Sequence, residues 1–203
     1  MKKGCTVALI ILAVLVVLVL IPGFMIQRVY NDIVAKEQGV SQQWAQVESA
    51  YQRRADLIPN LVATVKGYAA HESEVLETVT ASRAQAGSMR LSPEMLNNPA
   101  ELQKFQQAQD GLSSALSRLM VVVEKYPDLK ANQNFLELQS QLEGTENRIN
   151  NERRKFNESA QLYNTRIKQF PANLVAGFFR FNDKAYFQSA PGSEKAPTVN
   201  FGK

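Results

Sequence analysis

The residues that could do chemistry are few and lie in two short clusters. The chain's single histidine, His71, is followed by Glu72 and Glu74, and a second group of carboxylates lies at Glu143 and Glu146. Paired carboxylates can act as general acid and base, so an enzyme that uses the acids near Glu72 or Glu143 is one hypothesis. Charged residues are mostly exposed when nothing pairs with them, and a solvated helix face is therefore the simpler interpretation.

Other reaction types lack the residues that they need. The sequence HESE at 71–74 has no second histidine four positions on, which a zinc protease requires. Because Cys5 is the single cysteine, the body of the protein has neither a disulfide nor a thiolate metal site. Nucleophile-elbow, P-loop and dinucleotide-binding motifs are also absent from the sequence. We therefore predict a non-enzymatic protein without a cofactor or a metal.

A long apolar run close to the N-terminus predicts a membrane anchor. The run from Gly4 to Ile26 contains no charged residue, and as a helix it would reach roughly 34 Å, enough to cross a hydrocarbon core of about 30 Å. A cleaved signal peptide is the alternative, but its apolar core usually has only about 7 to 15 residues. We expect residues 1–5 to be a short cytoplasmic N-terminus and residues 6–27 to be an uncleaved transmembrane helix in the lipid bilayer.

The charge distribution gives an orientation and argues against nucleic acid. Lys2 and Lys3 precede the apolar run, and Arg28 and Lys36 follow it. The terminal amine and the closer clustering favour the N-terminus inside, with the body outside the cytoplasmic (inner) membrane, that is, periplasmic. The formal net charge is +4, but three of the 23 basic residues flank the run. The remaining basic residues are dispersed, so no nucleic-acid face is predicted.

The body, residues 28–187, has the periodicity of long amphipathic helices. Apolar residues recur at steps of three, four or seven, and they predict helices over about 30–53, 60–86, 99–126 and 128–170. Residues 87–99 break the pattern, with Ser92 and Asn98 each placed to cap a helix that begins with proline. The fold class is therefore all-α: an N-terminal transmembrane helix followed by an elongated antiparallel bundle of long, coiled-coil-like helices.

The join at residues 53–59 has two interpretations. Asp56 suits a new N-cap, with Pro59 in the first turn of the next helix. The same residues also fit a kink within one long helix, because a reversal usually needs two or more loop residues. The sequence does not choose between a turn and a kink.

Two patterns, one of glycines and one of asparagines, interrupt the apolar stripes. Each predicted helix carries one interior glycine, which indicates either close helix approach or flexibility; these are Gly39, Gly67, Gly111 and Gly144. Asparagines repeat every seven residues at Asn150, Asn157 and Asn164, with Asn147 one turn earlier. Such a row forms one polar seam, which we interpret as a device that sets helix register, with a partner surface as the alternative.

The C-terminal part has a different character. Five aromatic residues fall within positions 178–187, and such a segment folds back on the bundle, contacts a neighbouring subunit or lies at a membrane interface. Folding back is our expectation. Residues 188–203 are small, polar and proline-containing, which predicts a disordered tail.

Four sequence blocks resemble the bacterial LemA family. They are RRADLIPNLVATVKGYAAHE at 53–72, LQSQLEGTENRIN at 138–150, FNESAQLYNTRIKQFP at 156–171 and AYF at 185–187. The resemblance implies a membrane-anchored, elongated helical domain and assigns no catalytic residue. The positions that follow the family pattern are Asp56, Pro59, Asn60, Lys66, Gly67, Tyr68, His71, Glu72, Gly144, Thr145, Glu146, Asn147, Arg148, Tyr163 and Asn164.

These observations favour an interaction protein. The hypothesis is a membrane-anchored scaffold of the bacterial cell envelope that forms homo-oligomers and presents a helical surface to envelope partners such as membrane proteases. Its candidate interaction residues are the family-pattern positions together with Asn150 and Asn157. A ligand-sensing bundle is the alternative from another class, and it would need a pocket between the helices.

Overall fold

A computed structural model describes residues 2–89 and 93–188 of the chain. Its helices are α1 Lys2–Tyr68, α2 Ser73–Ser88, α3 Pro99–Val123, α4 Pro127–Lys130, α5 Gln133–Lys168 and α6 Ala172–Phe179, with a short 3₁₀ helix at Pro93–Asn97. No strand occurs in these described residues. The predicted all-α antiparallel bundle is confirmed. The predicted cap at Ser92 and residues 189–203 of the predicted tail lie outside the described residues. Gln188, the first residue of that tail, is described, and its backbone is hydrogen-bonded to Gln106, so the prediction of disorder is wrong there.

The bundle is built by helices that alternate in direction. α1 runs from the apolar N-terminal end to the distal end of the bundle, and α2 is antiparallel to it. α3 is parallel to α1, and α5 is antiparallel to α1 and lies beside it for most of its own length. The pairs Asp32 with Arg166 and Arg54 with Glu146 show that α1 and α5 are antiparallel, because the partner's number falls as the number on α1 rises. In the described part of the chain, α1 is the one helix that is long and apolar enough to cross a membrane.

α1 passes through Pro59 without a turn, which decides between the two interpretations of residues 53–59. A proline within a helix removes a hydrogen bond to the carbonyl four residues earlier, here that of Ala55. The Nε of Arg83 on α2 donates to this carbonyl oxygen at 2.8 Å and replaces the missing bond. Asp56 is consequently not an N-cap; its side chain lies exposed within the helix and accepts a hydrogen bond from Gln52 at 2.8 Å.

The predicted helix over 60–86 is wrong, because the chain reverses at residues 69–72. The apolar stripe does not reveal this reversal. Val65 and Leu76, which are buried on opposite sides of the turn, are eleven residues apart, close to three helical turns, so the pattern keeps its phase.

The predicted helix over 128–170 is also interrupted. α4 ends at Lys130, and Asn132 then caps α5 by accepting a hydrogen bond from the backbone N–H of Phe135 at 3.1 Å. The predicted cap at Asn98 is confirmed, since its side chain accepts from the backbone N–H groups of Ala100 and Glu101. Asparagine is among the best N-cap residues, because its side-chain oxygen satisfies helix N–H groups that lack partners.

Two hydrophobic clusters form the core of the bundle. The distal cluster joins α1 and α2 to α3, α4 and the start of α5. The proximal cluster, near the apolar end, joins α1, α3 and α5 to α6, the 3₁₀ helix and residues 181–188. α2 packs on α1 and α3 but is too short to extend along the whole of α1, so these last elements take its place in the proximal half. None of the four interior glycines is needed for close helix packing, because an added Cβ would meet nothing within 4 Å.

Candidate functional site

The segment 181–188, which we call the strap, lies extended against α5 and is held by its backbone. The side chain of Asn164 accepts from the backbone N–H of Lys184 at 2.8 Å and donates to the carbonyl of the same residue at 2.8 Å. Asn157 holds the N–H and the carbonyl of Phe187 in the same way, both at 2.9 Å. These amides therefore replace a neighbouring strand for two residues of the strap.

The spacing of the asparagines matches an extended chain. Seven residues of helix rise about 10.5 Å, and three residues of extended chain span about 10 Å. Asn157 and Asn164 can thus bind residues 187 and 184 without distorting either element. The two C-terminal asparagines of the row hold the strap and do not set the register between helices, and Asn147 and Asn150 are exposed, so the register interpretation is wrong.

A third amide completes this arrangement from the other side. Gln106 on α3 donates to the carbonyl of Gln188 at 2.7 Å and accepts from its N–H at 3.2 Å. Arg153 on α5 donates to the same carbonyl at 3.1 Å, and its guanidinium lies over the Phe187 ring. The strap is therefore bound between α3 and α5.

The side chain of Lys184 links the strap to α1 and to the 3₁₀ helix. Its side chain is largely buried, and its Nζ donates to Glu37 on α1 at 2.7 Å and to Asn97 at 2.9 Å. The ammonium also lies 5.3 Å from the centre of the buried Tyr163 ring. Burial raises the pKa of Tyr163 far above the ordinary tyrosine value, and the carboxylates of Glu37 and Asp183 add to this shift, so the phenol stays neutral.

Two further polar contacts lie along the strap side of the bundle. Glu152 on α5 accepts from Gln43 at 2.6 Å and from Lys155. Burial alone would raise the pKa of Glu152, but these hydrogen bonds outweigh it and hold the pKa below its ordinary range. Lys168 pairs with Asp183 at 2.8 Å where α6 leads into the strap, and this hydrogen bond raises the pKa of the lysine.

Phe187 of the strap belongs to the proximal core. Phe187 stacks on Trp44 with ring centroids 6.1 Å apart and packs edge-on against Phe156 at 5.5 Å. Phe105 from α3 contacts the other edge of Trp44 at 6.1 Å. One ring each from α1, α3, α5 and the strap therefore meets at this level, and the expectation that the aromatic segment folds back agrees with this contact.

We expect Asn164→Ala to lower the free energy of unfolding by about 2 kcal/mol. The substitution leaves the buried N–H and carbonyl of Lys184 unpaired, and each unpaired group is costly. Asn150→Ala is the matched control, because Asn150 belongs to the same row but is exposed, and we expect a change within about 0.5 kcal/mol. Urea titration measures both values. Equal effects would contradict a specific hold on the strap.

A buried arginine separates the two hydrophobic clusters. Arg54 on α1 is 2% exposed; its Nη1 donates to Ser113 at 2.9 Å and to Glu146 at 2.8 Å, and its Nη2 donates to Gln109. The guanidinium also lies 5.2 Å from the centre of the Tyr51 ring. This polar layer fixes the heights of α1, α3 and α5 relative to one another, because few other positions along the helices would satisfy the charge.

The carboxylates considered for catalysis do not converge. Glu72 accepts a hydrogen bond from Tyr126 at 3.1 Å in the distal turns, while His71 beside it is exposed. Glu143 lies on the surface of α5 and accepts from Gln139. Among the described residues, no group of three or more His, Cys, Asp or Glu side chains could hold a metal ion.

The remaining family-pattern positions fall into two places. The distal end of α1 carries Pro59, Asn60, Lys66, Gly67 and Tyr68, all exposed, and Tyr68 accepts a hydrogen bond from Asn132 at 2.9 Å. On α5, Gly144 and Arg148 are exposed, while Thr145 is buried and donates to the Gln141 carbonyl at 2.7 Å.

Sequence reasoning missed Arg54, Gln106 and Lys184. A signal for Arg54 was present: the buried residues Val47, Tyr51, Ile58, Leu61 and Val65 leave a gap in the stripe that Arg54 fills at a step of three from Tyr51. No comparable signal marked Gln106 or Lys184, because the contacts of both residues depend on where the strap lies in the fold.

The sequence matches a known protein family and several named relatives. Residues 43–201 match the model of the LemA family. The chain is 27% identical over 208 residues to magnetosome protein MamQ 2 of Paramagnetospirillum magneticum, covering 95% of the chain and 76% of that protein. MamQ of Magnetospirillum gryphiswaldense is 26% identical, covering 81% of the chain and 66% of that protein. Protein LemA of Metamycoplasma hominis is 24% identical, covering 79% and 69% respectively.

The family match covers well over half of the chain, including the helices that hold the strap and the Arg54 layer. The resemblance found in the sequence blocks is confirmed, and this chain belongs to the LemA family.

Proposed function

We propose that the protein is a non-enzymatic scaffold of the bacterial cell envelope, anchored in the cytoplasmic membrane by residues 6–27. In this proposal the body stands on the periplasmic side, associates with further copies of itself, and presents its helical surface to envelope proteins such as membrane proteases. The protein acts through its shape and contact surface.

The observation that supports this proposal most strongly is the continuity of α1. One helix, Lys2–Tyr68, contains the apolar run and also forms a full-length element of the bundle. An unbroken helix transmits position along its axis, whereas a flexible linker would let the body move independently of its anchor. The Arg83 hydrogen bond to the Ala55 carbonyl preserves this continuity at Pro59.

The surface available to partners lies along the outer faces of the bundle. Val121 on α3 and Leu162 on α5 are large apolar residues that are exposed on these faces. Exposed apolar residues are common on protein surfaces and do not identify a particular partner. Val121 and Leu162 are suitable positions for probes that report contact with a partner.

Self-association is tested on the full-length protein in native membranes. A photo-crosslinking amino acid at Val121 or Leu162 is expected to give an adduct between two copies or with an envelope protein, and mass photometry in nanodiscs is expected to show more than one copy. The matched control carries the crosslinker at Leu119, which is buried. A monomer that forms no adduct from either exposed position would contradict the scaffold.

Orientation is tested separately with fusions to the C-terminus. Alkaline phosphatase is expected to be active there, because it needs the oxidising periplasm for its disulfides. An inactive phosphatase together with a fluorescent cytoplasmic reporter at the same position would reverse the proposed topology.

A further inference from the structure

α6 presents an apolar face that the bundle does not cover. Its inner side, Ala172, Val175 and Ala176, is buried against the neighbouring helices. On its outer side Leu174 is 64% exposed and Phe178 is 82% exposed, and Phe170 just before the helix is 78% exposed. Large apolar side chains concentrated on one short helix form a patch that is unusual for a water-facing surface.

The position of this patch along α1 is informative. A groove between the two helices is lined by Pro22, Met25 and Ile26 from α1 and by Leu174 and Phe178 from α6. The α1 residues are the last turns of the uncharged run that ends at Ile26. α6 therefore lies beside the end of the membrane span, and a bilayer that covers Ile26 reaches the level of Phe178.

The surrounding residues suit the boundary between hydrocarbon and headgroups. Tyr30 contacts the rings of Phe179 at 4.8 Å and Phe181 at 5.6 Å, and aromatic residues are enriched at this depth in membrane proteins. Arg28, two residues before Tyr30, and Arg180, between Phe179 and Phe181, are both exposed. Their guanidinium groups can reach phosphates while the neighbouring apolar side chains enter the acyl region.

We propose that α6 is an interfacial helix, and that Phe170, Leu174 and Phe178 insert into the phospholipid bilayer beside α1. This inference rests on the proposed membrane anchor and deepens it. A single helix leaves the body free to rotate about its axis, whereas a second contact beside it fixes which side of the bundle faces the membrane. Because α6 leads directly into the strap, this contact also fixes where the strap begins.

Fluorescence quenching in vesicles tests the proposal on the full-length protein. In a Cys5→Ser background, single cysteines replace Phe178, Leu18 or Val121 and carry the environment-sensitive label NBD. The protein is reconstituted in vesicles of phosphatidylethanolamine and phosphatidylglycerol. Lipids with a nitroxide near the top of the acyl chain report membrane contact, and aqueous iodide reports exposure to water.

The label at Phe178 is expected to be quenched by the nitroxide lipid and protected from iodide, as at Leu18, whereas the label at Val121 shows the reverse. Iodide quenching at Phe178 with lipid quenching retained at Leu18 would overturn the interfacial helix and leave the anchor intact. Iodide quenching at Leu18 would overturn the anchor itself. Protection of Phe178 from both quenchers would indicate a second copy on this face and would also overturn the proposal.

Discussion

Replacing Phe187 with alanine is expected to lower the free energy of unfolding by about 3 kcal/mol and to shift the emission of Trp44 to longer wavelength. The energetic cost is that of removing a large buried aromatic side chain from a packed core. The spectral change follows because Phe187 covers the face of Trp44, and this is the single tryptophan in the chain. Loss of the ring admits water to the indole.

Leu162→Ala is the matched control for this substitution. Leu162 is also a large apolar residue near the strap end of α5, but it is exposed, and its removal is expected to change stability by no more than about 0.5 kcal/mol. Urea titration followed by tryptophan emission measures both effects in one experiment. If Phe187→Ala behaved like Leu162→Ala, the strap would not be part of the core.

Replacing Arg54 with alanine is expected to cost about 3 kcal/mol or more. The substitution removes a nearly fully buried side chain. It also leaves the buried side-chain oxygen of Gln109 without its hydrogen-bond donor. Arg53→Ala is the matched control, since the neighbouring arginine is exposed. Its removal is expected to change the free energy of unfolding by at most about 0.5 kcal/mol.

A double substitution separates packing from polar pairing at this layer. Arg54→Met keeps most of the side-chain volume but leaves the Gln109 amide without its hydrogen-bond partner. We therefore expect the free energy of unfolding to fall by an intermediate amount, about 1 to 2 kcal/mol. Adding Gln109→Met should recover stability, because a buried polar layer can be replaced by apolar residues of similar volume. A double variant that is no more stable than Arg54→Met would show that the layer stabilises the fold through more than this pair.

The helical architecture was largely predictable because its cause is local. Stripes of apolar residues at steps of three and four, the cap at Asn98 and the uncharged N-terminal run are each visible in a short window of sequence. The breaks between helices were harder to predict, because the apolar stripe keeps its phase from Val65 to Leu76 although the chain reverses direction between them. Pro59 was undecided since its accommodation depends on Arg83, twenty-four residues further along the chain.

The place of the strap between α3 and α5 was not predictable for a different reason. The row of asparagines was visible, but an amide can pair with a helix, a partner or an extended chain, and only the fold places residues 184 and 187 opposite it. The aromatic segment was expected to fold back, yet its division into an exposed face on α6 and a buried Phe187 depends on contacts with α1. Charged residues within an apolar stripe, such as Arg54, are a signal that can be sought in advance.

In the proposed function, the continuous helix α1 holds a rigid helical body upright on the membrane. Single-particle imaging of the full-length protein in lipid nanodiscs tests it most directly. We predict a body fixed in one orientation, with the part of α1 beyond Arg28 rising about 60 Å from the bilayer surface. A body that adopts many angles to the disc, or that lies flat on it, would contradict the account.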